Sequence, residues 1–155
     1  MKTIRLTLAL LSLSLTVSAQ TTAPALTAYY SLKDALVATD AAKAKTGAAA
    51  LVAALGKVEA GKLSATDKNA LATAKTKAAA ISRTTDVAAQ RDAFEALSTS
   101  MIALTKATKP AKAYVQFCPM AAGGKGASWL SDKREVRNPY YGSQMLKCGS
   151  VKEEI

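Results

Sequence analysis

The residues of this sequence best suited to chemistry are four sulfur side chains near its C-terminus. Cys118 and Met120 stand two positions apart, and Met145 and Cys148 stand three positions apart. Thiolates and thioethers are soft ligands that prefer Cu(I) to hard cations, and Ag(I) is soft in the same way. If the two segments meet, a pocket of two cysteines and two methionines would suit Cu(I) or Ag(I). Each spacing taken alone is a weak motif.

The same two cysteines could instead form a disulfide, as paired cysteines of exported proteins most often do. Closing a loop of about 30 residues would add roughly 3.6 kcal/mol to the free energy of unfolding, if the cause is the lower entropy of the unfolded chain. Met120 and Met145 would then simply fill core space. Spacing alone favours the disulfide over the metal site. The two states are not exclusive, because a reduced pair can bind metal and an oxidised pair can bridge the chain.

Catalytic chemistry has little support in the composition. The chain contains no His, which excludes His-based catalytic triads and zinc sites that use imidazole. The acidic residues of the helical part lie among lysines, where capping and surface roles are more common than acid–base catalysis. The glycine-rich segment at 123–126 lacks the setting and the Lys-Ser or Lys-Thr pair of a phosphate-binding loop. We therefore do not expect an enzyme.

The first 19 residues have the features of a secretory signal peptide. Lys2 and Arg5 precede an apolar stretch, and small residues lead up to Ala19, after which cleavage is expected. The stretch is shorter than the roughly 20 apolar residues that span a bilayer, and nothing downstream supplies a transmembrane segment. We expect a periplasmic or secreted protein in an oxidising compartment.

The chain is basic, with a formal net charge of +10. A nucleic-acid-binding surface needs this charge to be clustered with aromatic residues, but the lysines here are scattered along the chain. The expected export of the protein also argues against a nucleic-acid partner. We therefore expect a lysine-rich helical surface in water and no nucleic-acid partner.

Two regions of different composition must position the sulfur residues. Residues 20–112 contain 28 Ala and three aromatic residues, whereas residues 113–155 contain the other five aromatic residues and both cysteines. The change falls at residues 109–111, where Pro110 interrupts a helix. We predict one domain over residues 20–155, an all-α fold in which an antiparallel four-helix bundle precedes a compact, irregular tail from about residue 113.

Capping residues and apolar spacing define the four predicted helices. Short links between them favour antiparallel neighbours. Residues 64–67 resemble a capping box with Asp in place of Glu. The competing interpretation is a long low-complexity helix without a stable core. The predicted starts are, in order, Pro24, Thr39 or Asp40, Ser64, and Thr85 or Asp86.

The tail is predicted to contain one short helix. Asn138 followed by proline is typical of a helix start, and Gly149 suits the left-handed residue after a helix end. A helix over Pro139–Lys147 would place Met145 and Cys148 within one turn of each other. Three aromatic residues could shield the sulfur pocket from water: Trp129, Tyr140 and Tyr141.

Three tail segments carry a likeness to a known family. They are Cys-Pro-Met at 118–120, Trp-Leu-Ser at 129–131, and Asn-Pro-Tyr-Tyr-Gly with Met-Leu-Lys-Cys-Gly at 138–149. Together with the helical segments 30–37 and 94–98, they make the chain resemble an exported bacterial domain family of unassigned function. That domain occurs alone after a signal peptide, or fused to periplasmic adaptor proteins of copper and other heavy-metal efflux pumps.

The resemblance implies a helical bundle with a Cys/Met tail and a link to soft-metal handling. Cys118, Met120, Met145 and Cys148 match the Cys and Met positions of the family. On this basis we expect a periplasmic protein that binds or carries Cu(I) or Ag(I) in heavy-metal efflux or homeostasis, with an efflux adaptor or pump protein as its partner. The alternative is a non-metal interaction module with a disulfide-closed tail, which exposed aromatic residues would favour and buried ones would weaken.

Overall fold

The computed structural model describes residues 22–155, which contain a helical part and a small sheet. Two 3-10 turns connect the longer elements, Ala60–Lys62 and Gly142–Met145. The predicted signal peptide at residues 1–19 lies outside the described residues. The helices are α1 (Ala23–Val37), α2 (Ala41–Gly56), α3 (Ala65–Ile81), α4 (Val87–Thr108) and the single irregular turn α5 (Ala121–Gly124), and the strands are β1 (Tyr114–Cys118), β2 (Ala127–Ser131) and β3 (Ser150–Glu154).

Helices α2, α3 and α4 each begin at a residue whose side chain caps the helix. The side chains of Asp40, Ser64 and Asp86 accept hydrogen bonds from backbone N–H groups two or three residues further on, at 2.9, 3.1 and 2.9 Å. These bonds satisfy N–H groups that have no partner within the helix. The predicted starts of these three helices are therefore confirmed, and α2 ends at Gly56.

The four long helices pack as a bundle in which helices adjacent in sequence contact each other and α4 also contacts α1. Small residues allow the close approach of α1 and α2, since a Cβ on Gly47 would lie 3.2 Å from the backbone of Leu32. No helix within residues 22–155 combines the length and apolar character that crossing a bilayer requires. Large side chains at the predicted apolar positions fill the core: Tyr29, Leu36, Leu51, Leu55, Ile81, Phe94, Leu97 and Leu104.

The prediction of an all-α fold with an irregular tail was wrong, because the tail forms a three-stranded antiparallel sheet. The strand order is β2-β1-β3, and β2 packs against α4. The apolar runs of the tail are only about five residues long, too short for periodicity to identify them. The aromatic and β-branched residues of 114–117 are the signal that favours a strand there.

The predicted helix over Pro139–Lys147 was also wrong, because residues 142–145 form only a 3-10 turn. Gly142 adopts a φ of +59°, which a right-handed helix does not allow. A Cβ at this position would lie 2.5 Å from Thr39 Oγ1 and 2.8 Å from Arg91 Nη2. Contact with the bundle therefore determines the backbone of this segment.

Candidate functional site

Strands β1 and β3 bring the two cysteines together. Cys118 is the last residue of β1, and Cys148 lies two residues before β3. Their Cα atoms are 5.6 Å apart, and their Sγ atoms form a disulfide across 30 residues of sequence. The predicted disulfide is thus present, and disulfides are typical of proteins outside the cytoplasm. Gly149 follows with a φ of +137°, and a Cβ there would lie 2.8 Å from the Phe117 carbonyl oxygen.

Both methionines of the predicted ligand set lie on turns next to this disulfide. Met120 follows β1 and is 52% exposed, and its carbonyl oxygen accepts a hydrogen bond from the Tyr141 hydroxyl at 2.5 Å. Met145 is half-buried at the end of the 3-10 turn, and its carbonyl accepts from the Cys148 N–H at 2.9 Å. All four sulfur residues therefore reach the same end of the sheet, and two of them are bonded to each other.

Asn138 organises the loop that carries Met145 and Cys148. Its side chain is fully buried, and Oδ1 accepts from the N–H groups of Tyr140 and Tyr141 at 2.8 and 3.3 Å. Its Nδ2 donates to the Cys148 carbonyl at 3.0 Å. The capping bonds predicted for Asn138 are therefore present, although no α-helix follows them. The bond to Cys148 joins positions ten residues apart, which the sequence pattern did not indicate.

Arg91 on α4 connects the tail to two other parts of the molecule. Its Nε donates to the Pro139 carbonyl at 2.9 Å, and its Nη2 donates to the Leu36 carbonyl and to Thr39 Oγ1, both at 3.1 Å. Partial burial lowers the pKa of this guanidinium, which still remains charged near neutral pH. Sequence reasoning missed Arg91, because one arginine on an alanine-rich helix gives no signal of long-range contacts.

The aromatic residues proposed to shield the site are largely buried and join the tail to the bundle. Trp129 is fully buried, Tyr140 is 9% exposed and Tyr141 is half-buried. Phe94 lies between Tyr29 and Tyr140, with ring centroids 5.3 and 5.7 Å apart, and Trp129 packs edge-on against Tyr140 at 6.0 Å. These rings form a continuous row from α1 to β2 and do not offer an aromatic docking face.

The tyrosines of this row act as neutral hydrogen-bonding groups. Burial raises the pKa of the Tyr29 and Tyr140 hydroxyls above the ordinary value. The Tyr140 hydroxyl donates to the Ser128 carbonyl at 2.8 Å. The Tyr29 oxygen is 2.7 Å from Ser98 Oγ and accepts from the Leu130 N–H at 3.2 Å. The row therefore fixes the sheet on the bundle by both packing and hydrogen bonds.

An open cavity of about 330 Å³ lies between α4 and the tail, beside the Met120 turn. Tyr141, which contacts the Met120 carbonyl, forms one wall, and the exposed Asp92 and Glu95 of α4 line another. Within residues 22–155, no three His, Cys, Asp or Glu side chains come together in a way that could hold a metal ion.

Comparison with protein families identifies the helical part of the chain. A family model described as a protein of unknown function (DUF3347) matches residues 25–113. The matched part begins within α1, includes α2 to α4 and ends immediately before β1, so the sheet and the four sulfur residues lie outside it. No curated protein and no solved structure gives a significant match to the chain.

Proposed function

The chain belongs to the DUF3347 family of unknown function, and from this premise we propose that it is an exported protein that binds or carries Cu(I) or Ag(I). Cys118 and Cys148 would supply thiolates after reduction of their disulfide, and Met120 and Met145 would supply thioethers. The observation that supports the proposal is the Cys118–Cys148 disulfide, which brings together the two segments that also carry Met120 and Met145. Softness of all four donors favours monovalent copper or silver over hard cations.

The exposure of the four residues suits a protein that passes metal on by ligand exchange. Cys118 is fully buried, Cys148 and Met145 are half-buried, and Met120 is exposed. A metal held by the cysteines would therefore remain reachable from the Met120 side. Thiol ligands must lose their protons to bind, so metal uptake should release protons.

The disulfide makes the proposed activity dependent on redox state. Two electrons from a thiol reductant convert the disulfide into two thiols, and only these can become thiolate ligands. The oxidised protein should therefore not bind Cu(I), whereas the reduced protein should. The likeness of the tail to a domain fused to efflux adaptors supports a periplasmic adaptor or pump protein as the partner, and heavy-metal efflux or homeostasis as the process. No residue is assigned a catalytic role.

The experiment is an anaerobic Cu(I) titration of the reduced protein against a chromophoric competitor. We expect one equivalent to be held, and binding to be lost in the Cys118→Ser and Cys148→Ser variants. Met120→Leu and Met145→Leu should weaken binding, whereas Met101→Leu should not, because Met101 is buried in the bundle. A reduced wild-type protein that fails to compete for Cu(I) would contradict the proposal.

A second candidate is a non-metal interaction module, which the disulfide itself favours. In that case the bond serves only to hold the tail in shape for a protein partner. The burial of Trp129 and Tyr140 weakens this candidate, since large exposed aromatic residues would be its natural contact points. Stable folding only in the oxidised form, with no metal uptake after reduction, would favour the module over the carrier.

A further inference from the structure

We propose that Asn138 holds Cys148 beside Cys118 whether or not the two sulfurs are bonded, so that reduction leaves a pre-formed pair of thiols. Asn138 is thereby a positioning residue for the cysteine pair. Its consequence for metal binding rests on the proposed function, but the positioning itself requires no metal.

The loop from Asn138 to Cys148 is closed by its own hydrogen bonds. The Asn138 N–H donates to the Leu146 carbonyl at 2.8 Å, and the Cys148 N–H donates to the Met145 carbonyl at 2.9 Å. The Asn138 side chain adds the bond from Nδ2 to the Cys148 carbonyl at 3.0 Å. The two bonds made by Asn138 join the ends of the loop independently of the sulfur atoms.

The loop is also fixed to the rest of the molecule on both sides of Cys148. On its N-terminal side, Arg91 holds the Pro139 carbonyl. On its C-terminal side, Ser150 pairs with Phe117 in the ladder between β3 and β1. Asn138 directly precedes the first anchor and has no exposed surface, so loss of its amide would leave the Cys148 carbonyl without this donor. The Asn138 side chain also accepts from the Tyr140 and Tyr141 N–H groups, and buried polar groups left without a partner are costly, so this side chain can hold the conformation.

A pre-formed pair has a measurable chemical consequence, which is fast closure of the disulfide. With glutathione disulfide as the oxidant, the Cys148 thiolate attacks it and releases one glutathione thiolate. The Cys118 thiolate then attacks the Cys148 sulfur and releases the second, so that two electrons pass from the protein to glutathione. The rate of the second step depends on how often the two cysteines meet.

The test measures this second step by acid quenching and mass spectrometry of the reduced protein, in excess glutathione disulfide. Asn138→Ala should slow closure about five- to tenfold, the effect of losing one or two buried hydrogen bonds. Asn138→Asp keeps an oxygen to accept from the Tyr140 and Tyr141 N–H groups but has no Nδ2 donor. The Asn138→Asp variant should fold and still close its disulfide slowly. This comparison distinguishes the effect of the hydrogen bond to Cys148 from the effect of the turn.

Gln90→Ala provides the matched control in the bundle. Gln90 is also a fully buried amide, and its Nε2 donates to the carbonyls of Ala41 and Thr84, both at 2.9 Å. Its loss should lower the melting temperature and leave the closure rate unchanged. Wild-type closure rates in both Asn138 variants, or equal slowing in Gln90→Ala, would overturn the inference. Slow closure in the Asn138 variants of a protein that binds no Cu(I) would leave the inference standing and remove the proposed function.

Discussion

The bundle and the tail of this protein are held together by different kinds of contact. In the bundle, helices begin at their own caps and bury mostly Ala and Leu side chains. Gln90 makes a long-range amide contact in the bundle, and in the tail both Gln116 and Asn138 bind backbone groups that are distant in sequence. Gln116 on β1, for example, donates from Nε2 to the carbonyls of residues 133 and 135, both at 3.0 Å. The bundle should therefore tolerate conservative change, whereas the tail depends on a few specific hydrogen bonds.

The two regions meet at the aromatic row, and the largest effect is expected there. Phe94→Ala removes a fully buried ring that packs against both Tyr29 and Tyr140. We expect the free energy of unfolding to fall by about 3–5 kcal/mol, as in other large-to-small core changes. Urea denaturation followed by Trp129 fluorescence measures this. A loss confined to one region, with the other unfolding as before, would show that the regions fold separately.

Removal of the disulfide tests how far the tail depends on its covalent bond. The double variant Cys118→Ala with Cys148→Ala should lower the free energy of unfolding by roughly 3.6 kcal/mol, because the unfolded chain is no longer constrained. The measurement is denaturant unfolding of the variant beside the oxidised wild-type protein. Before denaturation, the variant should keep the near-ultraviolet circular dichroism signal of Trp129. Loss of this signal would mean that the disulfide alone orders the tail.

Gln116 tests whether buried amides stabilise the tail more than packing does. Gln116→Leu keeps much of the volume but leaves the carbonyls of residues 133 and 135 without a donor. A loss of about 1–3 kcal/mol in the free energy of unfolding is expected, because two hydrogen bonds that contribute about 0.5–1.5 kcal/mol each are lost. The matched bundle change is Leu97→Met, which conserves volume and should cost less than about 1.5 kcal/mol. Equal losses of stability for Gln116→Leu and Leu97→Met in thermal melts would contradict the contrast between the two regions.

The smallest effect concerns a cap in the bundle. The backbone N–H of Lys43 binds the Asp40 carboxylate and lowers the pKa of Asp40 below its ordinary value. A group with a lowered pKa in the folded state adds stability above its unfolded pKa, near 3.9, and loses it as the pH falls through the folded value. Asp40→Asn should therefore be slightly less stable at neutral pH, and the difference should shrink as the pH falls below the ordinary Asp pKa of about 3.9. A difference in melting temperature that does not change with pH would contradict this.

Much of the bundle could be predicted from the sequence, because its signals act over three or four residues. Ser64 and Asp86 cap helices through N–H groups close to them in sequence. The spacing of Leu71, Ala74 and Ala78 identifies one buried face, and all three are buried in α3. The two cysteines also indicated a disulfide, because paired cysteines have few other fates in an oxidising compartment. Export and soft-metal binding stay predictions.

Only the tertiary structure decided the conformation of the tail. Gly142 allows a helix end or a turn, and its packing on Thr39 and Arg91 selects the turn. Asn138 indicates a cap, and only the fold shows that the same amide also binds the Cys148 carbonyl. Strand pairing and such amide contacts join residues nine or more positions apart. Local sequence propensities do not indicate which distant backbone groups a side chain or strand will bind. The packing of the sheet on the bundle determines those partners.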